Sequence, residues 1–332
     1  MEQRILGRTG RHVSVVGLGT WQLGGDWGHV DDAMADEILH AAVAEGITFF
    51  DTADVYGDGR SEQLIGDFLR RTDGTDSITV ATKFGRRADQ VPESFTRKNL
   101  RAWADRSRRN LGVDQLQLVQ LHCPPSAVLS TDAVFDDLDV LVDEGVVAHY
   151  GVSVETVDEA LTAITRPHVA TVQIIANAFR LKPLEQVFPA AADAGVGIIV
   201  RVPLASGLLS GKYDENTTFA SDDHRSYNRD GSAFDVGETF SGVDFEVGIT
   251  AARQFSELVR RAAPEGATSA QAAIAWLCQN PAVSTVIPGA RSVGQVRDNA
   301  AAGRLPHLGP DFTRGVVELY DERLRHAVHS RW

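Results

Sequence analysis

The feature that most constrains the fold of this chain is a repeated alternation of strand-like and helix-like segments. Short apolar runs rich in β-branched residues recur through the sequence, and most are followed by a helical pattern of apolar residues. The strand-like runs cover residues 15–21, 48–51, 78–83, 116–122, 148–153, 171–175, 197–202 and 283–289. Eight such units favour a closed α/β fold, the (β/α)8 or TIM barrel, over an open doubly wound sheet.

The segments outside these units also have places in the expected barrel. Two short extended runs around GRTG, residues 4–6 and 12–16, predict an N-terminal β-hairpin that plugs the bottom of the barrel. After the seventh strand, residues 207–244 are rich in Gly, Ser and Asp and too long for a plain connection, which predicts a functional loop. Residues 312–327 predict an additional C-terminal helix. No linker interrupts the pattern, so we expect one domain over residues 1–332.

Charge, hydropathy and cysteine content exclude several classes of protein and of binding partner. The formal charge of −13 argues against a nucleic-acid groove or an anionic membrane surface. No apolar run reaches the roughly 20 residues that cross a bilayer, and the N-terminal sequence lacks the apolar core of a secretory signal. The two cysteines, Cys123 and Cys278, are too few for a disulfide framework and too isolated for a metal site. We therefore expect a cytoplasmic protein with no metal, nucleic-acid partner or membrane partner.

Polar residues of different types lie where successive predicted strands end. Asp51 ends the second strand, Lys83 the third and His122 the fourth, and Tyr56 follows Asp51 on the next loop. Since the carboxyl ends of barrel strands carry the active site, we expect these side chains to converge there. Each residue alone has an ordinary explanation, such as a turn former or a solvated strand end, but the set together points to chemistry.

The motifs around these residues resemble those of the aldo-keto reductase family. The family pattern DTAxxYG is present as DTADVYG at residues 51–57, the lysine lies in ATKFG at 81–85, and the histidine lies in LHCP at 121–124. The resemblance also includes GLGTW at the first strand and PLASGLLSGKY at 203–213. It extends over nearly the whole chain and looks most like a branch that includes bacterial oxidoreductases and potassium-channel beta subunits.

This resemblance implies that four residues act together in the reduction of a carbonyl. Tyr56 would donate the proton, Lys83 would stabilise the phenolate and lower its pKa from about 10, and Asp51 would hold the lysine in place. His122 would hydrogen-bond the substrate carbonyl and orient it. The hydride must come from a cofactor, because no side chain supplies one.

The resemblance also implies a nicotinamide cofactor across the barrel mouth, since no Rossmann glycine fingerprint opens the chain. Ser153 and Gln173 match residues that hold the carboxamide, whereas Val154 stands where relatives have an asparagine. The expected cofactor-binding residues are Gly19, Thr20, Trp21, Asp51, Ser153, Gln173, Arg201, Pro203, Leu204, Ser206, Gly207, Leu208, Ser210, Lys212, Gly289, Arg291, Gln295, Asp298 and Asn299. Arg291 beside a helix N-terminus favours the 2′-phosphate of NADP(H), with NAD(H) as the alternative.

Arg201 departs from the family pattern. It stands where many relatives place an aromatic residue that stacks on the nicotinamide. One hypothesis is that its guanidinium replaces the ring and that its charge disfavours NADP+ relative to neutral NADPH. The alternative is that Arg201 pairs with a nearby carboxylate and has a structural role.

The substrate site is the least constrained part of the prediction. We expect Trp21, Tyr56, Phe84 and His122 to line the mouth, together with Trp27. The chain is then an NADPH-dependent oxidoreductase that reduces aldehydes, ketones or sugar-like carbonyls, or runs in reverse. Two alternatives stay open. One is a cofactor-binding redox sensor or accessory subunit with vestigial chemistry, and the other is a lyase or isomerase in which the strand-end lysine forms a Schiff base.

Overall fold

The computed structural model describes residues 1–25, 30–221, 223–233 and 236–332. The strands in chain order are β1 (Gln3–Ile5), β2 (His12–Ser14), β3 (Leu18–Gly19), β4 (Phe49–Asp51), β5 (Thr79–Phe84), β6 (Leu118–His122), β7 (Tyr150–Val154), β8 (Val169–Ile175), β9 (Gly197–Arg201) and β10 (Val283–Val286). The first two pair antiparallel as a hairpin. The others are parallel neighbours, in chain order, in one eight-stranded sheet.

The eight-stranded sheet closes on itself. Parallel bridges join Val16 to Val286 and Gly19 to Gly289, which places the first strand of the sheet beside the last. A backbone hydrogen bond of 2.8 Å from the Gly17 amide to the Val286 carbonyl crosses the same seam. The predicted TIM barrel is therefore confirmed, and the carboxyl ends of its strands gather on one face.

Most helices alternate with the strands and pack around the outside of the sheet. They are α1 (Asp32–Ala44), α2 (Arg60–Arg71), α3 (Arg97–Leu111), α4 (Ser126–Leu129), α5 (Asp132–Asp143), α6 (Val157–Ile164), α7 (Lys182–Ala194), α8 (His224–Tyr227), α9 (Phe245–Ala262), α10 (Ser269–Cys278), α11 (Val293–Ala302), α12 (Gly309–Arg323) and α13 (Arg325–Val328). Thr156 and Thr268 begin their helices with capping boxes. The helix expected over residues 312–327 is interrupted at Leu324. Within the described residues, no helix is both long and apolar enough to cross a membrane.

Two apolar layers stabilise the barrel. The larger lies between the strands and the helices. The smaller lies inside the barrel and consists of Leu6, Val13, Phe49, Ala81, Leu118, Ile199 and Ile287. Leu6 and Val13 belong to the N-terminal hairpin region, so the hairpin closes the bottom of the barrel as the sequence predicts.

The inward faces of the strands change from apolar to polar along the barrel axis. Successive inward positions are two residues apart, because side chains on a strand alternate between its two faces. Ala81 in the inner layer is followed on the same face by Lys83, and Ile199 is followed by Arg201. The carboxyl end of the barrel interior is therefore lined with charged and polar groups that sit directly above an apolar base.

The stretch after β9 is not a plain connection. It includes the 3-10 helix Ala205–Ser210, the one-turn α8, and the short 3-10 helices Val236–Glu238 and Phe240–Gly242. Asn177, just beyond β8, ties this stretch to the barrel: its Nδ2 donates to the Val202 carbonyl at 2.9 Å and to Ser241 Oγ at 2.8 Å. The long segment is thus fixed at the carboxyl-end face of the barrel.

At the opposite face, hydrogen bonds from Arg8 hold the turn of the N-terminal hairpin against the bottom of the barrel. Its guanidinium donates hydrogen bonds of 2.8 to 2.9 Å to the carbonyl oxygens of Arg166, Val169 and Ala194. These three carbonyls lie at or before the amino ends of β8 and β9. The plug is therefore held by polar contacts as well as by its apolar side chains.

Substitution of Gly7 tests the contact between the hairpin turn and the barrel. Gly7 has a φ of +49°, and an added Cβ would lie 2.1 Å from the Gly197 nitrogen. Because that neighbour is backbone at the start of β9, we expect Gly7→Ala to lower the free energy of unfolding by about 2–4 kcal/mol in urea denaturation.

Gly10→Ala is the matched control for this prediction. Gly10 also has a left-handed backbone, with a φ of +66°, but nothing lies within 4 Å of an added Cβ. Only the backbone strain, about 1–2 kcal/mol, applies there. Equal losses in the two variants would contradict the view that close packing holds the hairpin.

Candidate functional site

A buried lysine lies at the centre of the carboxyl-end face. Lys83 Nζ donates to Asp51 Oδ1 at 2.5 Å, to the Thr52 carbonyl at 2.9 Å and to the Tyr56 hydroxyl at 3.2 Å. Lys83 is 1% exposed and Asp51 is 2% exposed. The structure thus brings together the three side chains that the sequence placed on neighbouring strand ends, and the lysine reaches the phenol while the carboxylate holds it.

The second oxygen of Asp51 is held from across the barrel. Gln173 Nε2 donates to Asp51 Oδ2 at 2.8 Å, and Gln120 Nε2 donates to the same oxygen at 3.2 Å. Hydrogen bonds from amide donors stabilise the ionised carboxylate. Gln120 was not among the expected site residues. Its position could have been found, because it is inward on β6, two residues before His122, and pairs in register with Lys83.

Burial and nearby charges have opposite effects on the pKa values of Lys83 and Tyr56. Burial alone would lower the pKa of Lys83, but the charge of Asp51 and the hydrogen bonds of the ammonium leave that pKa above its ordinary value. Burial raises the pKa of Tyr56, and Lys83 opposes this rise without cancelling it. The lowered pKa expected for Tyr56 is therefore not found, since burial disfavours the phenolate and Asp51 offsets the lysine charge. Tyr56 is a neutral phenol at neutral pH.

His122 faces the phenol from the next strand. Its ring centroid lies 6.0 Å from that of Tyr56, with the two planes nearly perpendicular. Burial lowers the pKa of His122 well below its ordinary value, and the charges of Arg86, Lys83 and Arg201 act in the same sense. Its Nδ1 is buried and has no hydrogen-bond partner among the described residues. A neutral imidazole of this kind can donate or accept a hydrogen bond, depending on its tautomer.

Aromatic rings cover the Tyr56 side of the site. Trp21 stacks on Tyr56 with a centroid separation of 6.0 Å, and His224 lies 5.6 Å from Trp21 on the other side. His224 is fully buried and comes from α8 in the long segment after β9. Sequence reasoning missed it because it lies in an irregular stretch with no motif. Trp27, also expected at the mouth, lies outside the described residues.

The expectation that Phe84 lines the mouth is wrong. Phe84 follows the inward-facing Lys83 on β5, and neighbouring residues on a strand point to opposite faces. Its ring is fully buried in the layer between strands and helices, 5.8 Å from the ring of Trp103 on α3. Phe84 therefore belongs to the core and not to a substrate site.

Two of the expected cofactor residues lie side by side with the histidine. His122 pairs in register with Ser153, and Ser153 pairs with Gln173, so the three residues form a row across β6, β7 and β8. Thr20 lies on the other side of the barrel, and its hydroxyl donates to the Asp51 carbonyl at 2.8 Å. Residues far apart in the chain therefore meet at one level of the barrel mouth.

Residues 203–212 leave the end of β9 in an irregular turn. Ser206 has a φ of +54° and Gly207 a φ of +98°. Ser206 Oγ donates to the Glu238 carbonyl at 2.6 Å and accepts from the Phe240 amide at 3.0 Å, which joins the two ends of the long segment. Among the other expected members of this turn, Pro203 and Leu208 are buried, Leu204 and Ser210 are partly exposed, and Lys212 is exposed.

The residues expected at the last βα unit lie in α11 or in the turn before it. They are Gly289, Arg291, Gln295, Asp298 and Asn299. Gln295 Oε1 accepts from the Arg291 amide at 2.7 Å, and Asn299 Nδ2 donates to the Gly289 carbonyl at 3.2 Å. A Cβ on Gly289 would lie 2.2 Å from Gln22 Nε2, so a glutamine that the sequence analysis did not single out lies over this strand end.

Arg201 is held between two carboxylates. Its Nη2 donates to Glu155 Oε1 at 2.6 Å and to the Val154 carbonyl at 3.2 Å, and its Nη1 donates to Glu238. The side chain is 8% exposed. Of the two arrangements considered for Arg201, the structure agrees with pairing to nearby carboxylates. Neither glutamate was among the expected site residues.

Asp54 is a buried carboxyl group behind the Tyr56 loop. It is 0% exposed, and neither of its carboxylate oxygens has a hydrogen-bond partner among the described residues. Burial, together with the negative charge of Glu62, raises the pKa of Asp54 to about 7, although Arg87, Arg106 and the active-site lysine act against the rise. The folded protein therefore holds a proton on Asp54 at pH values where an exposed aspartate would be ionised.

Comparison with known proteins agrees with the motifs. The model of the aldo/keto reductase family matches residues 15–320. An aldo-keto reductase of Bacillus subtilis is 29% identical over 299 residues, which cover 89% of this chain and 87% of the relative. A probable voltage-gated potassium channel subunit beta of Arabidopsis thaliana is 29% identical over 325 residues, covering 93% and 94%. The solved structure of a glycerol dehydrogenase from Gluconobacter oxydans has a TM-score of 0.77 and 28% identity, covering 97% of this chain and 95% of that one.

The proton on Asp54 predicts a pH-dependent effect of Asp54→Asn on stability. Because the pKa of Asp54 is raised in the folded state, folding takes up a proton, and the wild-type protein loses stability as the pH rises from about 4 towards 7. An asparagine does not titrate. We expect the stability of the variant relative to wild type to rise by about 1–4 kcal/mol between pH 4 and pH 8 in urea denaturation. The same difference at both pH values would contradict a protonated Asp54.

Proposed function

The chain belongs to the aldo/keto reductase family, and on that premise we propose that it interconverts aldehyde, ketone or sugar-like carbonyls and their alcohols with NADP(H). Nicotinamide-dependent carbonyl chemistry is the general activity of such oxidoreductases. The observation that carries the specific assignment is the hydrogen bond of 3.2 Å between Lys83 Nζ and the Tyr56 hydroxyl, with Asp51 on the far side of the ammonium. A phenol beside a buried cation is suited to give up and take back a proton.

In the reducing direction Tyr56 acts as the general acid. Its O–H bond breaks as the carbonyl oxygen of the substrate takes the proton and the carbonyl carbon takes a hydride. The phenolate that remains is stabilised by the charge and the hydrogen bond of Lys83, which act against the burial penalty. In the oxidising direction the phenolate takes the proton of the alcohol. Asp51 keeps the ammonium at the phenol in both directions.

His122 orients the substrate in this proposal. It is uncharged, since burial and nearby cations lower its pKa well below the ordinary value. A neutral ring nitrogen can hydrogen-bond a carbonyl oxygen that also faces Tyr56, without adding a second cation beside Lys83. The two rings lie nearly perpendicular with their centroids 6.0 Å apart, so a small carbonyl group could contact both residues.

Residues on the rim of the barrel fit a nicotinamide dinucleotide. Ser153 presents a hydroxyl beside the catalytic histidine, which suits a carboxamide, whereas the amide nitrogen of Gln173 in the same row donates to Asp51 and Gln120. The left-handed turn at Gly207 and the exposed Lys212 suit a pyrophosphate that approaches the backbone closely. When bound, the cofactor supplies the hydride that no side chain can supply. Phe84 is not part of the proposed substrate site.

Positive charge near the start of α11 favours NADP(H) over NAD(H). Arg291 directly precedes this helix, whose N-terminus itself favours anions. Burial raises the pKa of Tyr213, and the charges of Arg225 and Arg291 both act against that rise. Arg225 is already paired with Asp223, so Arg291 is the guanidinium that suits the additional phosphate of NADP(H).

The geometry disfavours a Schiff base on Lys83. Imine formation needs a neutral amine, whereas Asp51 and the other hydrogen-bond acceptors of Lys83 keep its pKa above the ordinary value despite burial. A cofactor-binding sensor or accessory subunit, the role suggested by the name of the Arabidopsis relative, would use the same cofactor site. Turnover, rather than cofactor binding, distinguishes that role from an enzyme.

Tyr56→Phe tests the proposed proton donor. The substitution removes only the hydroxyl, so we expect kcat for carbonyl reduction to fall by at least about 100-fold while NADPH still binds. NADPH consumption with a panel of aldehydes, ketones and sugars measures the first quantity, and quenching of protein fluorescence measures the second. Wild-type turnover no faster than that of the variant, with intact cofactor binding, would favour the sensor over the enzyme.

Arg291→Ala tests the preference for NADP(H). Loss of a charge-assisted contact to the 2′-phosphate should raise KM for NADPH by about tenfold or more, with a much smaller effect on NADH. Arg297→Ala is the matched control, because Arg297 lies on α11, the helix that follows Arg291, but its guanidinium is 4.0 Å from Glu45. Equal changes for NADPH and NADH in Arg291→Ala would argue against a role in phosphate recognition.

A further inference from the structure

Four charged side chains, two buried arginines and two partly buried glutamates, form a network at the carboxyl ends of β7, β8 and β9. The Arg201 guanidinium lies between the carboxylates of Glu155 and Glu238. Arg180, which is fully buried, donates to the Glu155 carbonyl oxygen. Burial lowers the pKa of Arg180 to about 10, so this residue stays charged at neutral pH. Within the described residues, two cations thus face two carboxylates and the charges of the network balance.

Arg201 and Glu238 shift the pKa values of the two residues proposed to contact the substrate carbonyl, His122 and Tyr56. Burial lowers the pKa of His122, and the charge of Arg201 adds to that effect. Burial raises the pKa of Tyr56, and the charge of Glu238 adds to that rise. A carbonyl held by Tyr56 and His122 can take a hydride only from a nicotinamide that lies beside it. A nicotinamide in the proposed site would therefore also lie within the electrostatic reach of Arg201 and Glu238.

Glu238 differs from the other members because it comes from the long segment after β9. Its backbone is held by the hydrogen bond of 2.6 Å from Ser206 Oγ to its carbonyl oxygen. The preceding Gly237 packs so closely that an added Cβ would lie 2.4 Å from Arg180 Nη1. The long segment thus places the Glu238 carboxylate beside the guanidinium of Arg201, the last residue of β9.

We propose that Glu238 sets the relative affinity of the site for oxidised and reduced nicotinamide by neutralising Arg201. The oxidised ring carries a positive charge that the reduced ring lacks, so an uncompensated guanidinium would repel the first and not the second. With Glu238 in place the four charges of the network balance, and the oxidised cofactor is retained. This is the opposite of the sequence-based hypothesis, in which the charge of Arg201 disfavours the oxidised cofactor. The inference rests on the proposed nicotinamide-dependent function.

Glu238→Gln keeps the size of the side chain and removes its charge. We expect the ratio of Kd for NADP+ to Kd for NADPH to rise about 5- to 30-fold, the effect of one uncompensated charge at roughly 10 Å and intermediate dielectric. Quenching of tryptophan fluorescence measures both constants without turnover. Asp230→Asn is the matched control, since it removes an exposed carboxylate from the same segment and should leave the ratio unchanged.

Arg201→Met provides a second, opposite test. Alone it removes the guanidinium and leaves the carboxylates, so the ratio should fall below the wild-type value. Combined with Glu238→Gln, it should return the ratio towards wild type, because both members of the pair are then absent. If the ion pair only supports the fold, every variant will bind both cofactor forms more weakly by the same factor. A constant ratio of this kind would overturn the inference.

The same titrations distinguish failure of this inference from failure of the proposed function. Wild-type protein that binds both NADP+ and NADPH, with a ratio that does not respond to Glu238→Gln or Arg201→Met, overturns only the role of Glu238. Wild-type protein that binds neither form overturns the nicotinamide-dependent function and the inference together.

Discussion

The buried ion pair between Lys83 and Asp51 is the interaction on which the rest of the polar cluster at the carboxyl-end face depends. Removal of an ammonium and a carboxylate from water costs several kcal/mol per ion, which only close contact and further hydrogen bonds can offset. Here the lysine makes two further hydrogen bonds, and the carboxylate accepts from Gln120 and Gln173. Because both glutamines lie on strands of the barrel, β6 and β8, whose register is fixed, the cluster is held by the sheet itself.

Tyr56 is the exception, since it lies on a loop and must be positioned by other means. The two residues that follow it, Gly57 and Asp58, both have left-handed backbones, with φ values of +57° and +55°. That conformation is unfavourable for a residue with a side chain. Arg87 and Arg106 both bind the exposed Asp58 carboxylate. Ion pairs with exposed carboxylates contribute little to stability, so these contacts serve chiefly to restrict the conformation of the loop.

Much of the barrel and of the cluster around Lys83 could be predicted because both follow from local patterns. Apolar runs marked the strands to within a few residues, and the polar residues that end them marked the face where Lys83 and His122 meet. Phe84 was misplaced because two adjacent residues of one strand were both assigned to the mouth, although the two-residue period of a strand excludes it. Counting that period back from His122 would also have found Gln120.

Contacts made by irregular segments were beyond prediction. Glu238 lies 37 residues after its partner Arg201, and no periodicity or motif connects them. The sequence by itself determined the fold class and the common face of Asp51, Lys83 and His122, because apolar periodicity and strand ends are local properties. Only the tertiary structure decided that Tyr56 is held as a neutral phenol and that the charge of Arg201 is neutralised. Burial and the distances between remote charges exist only once the chain has folded.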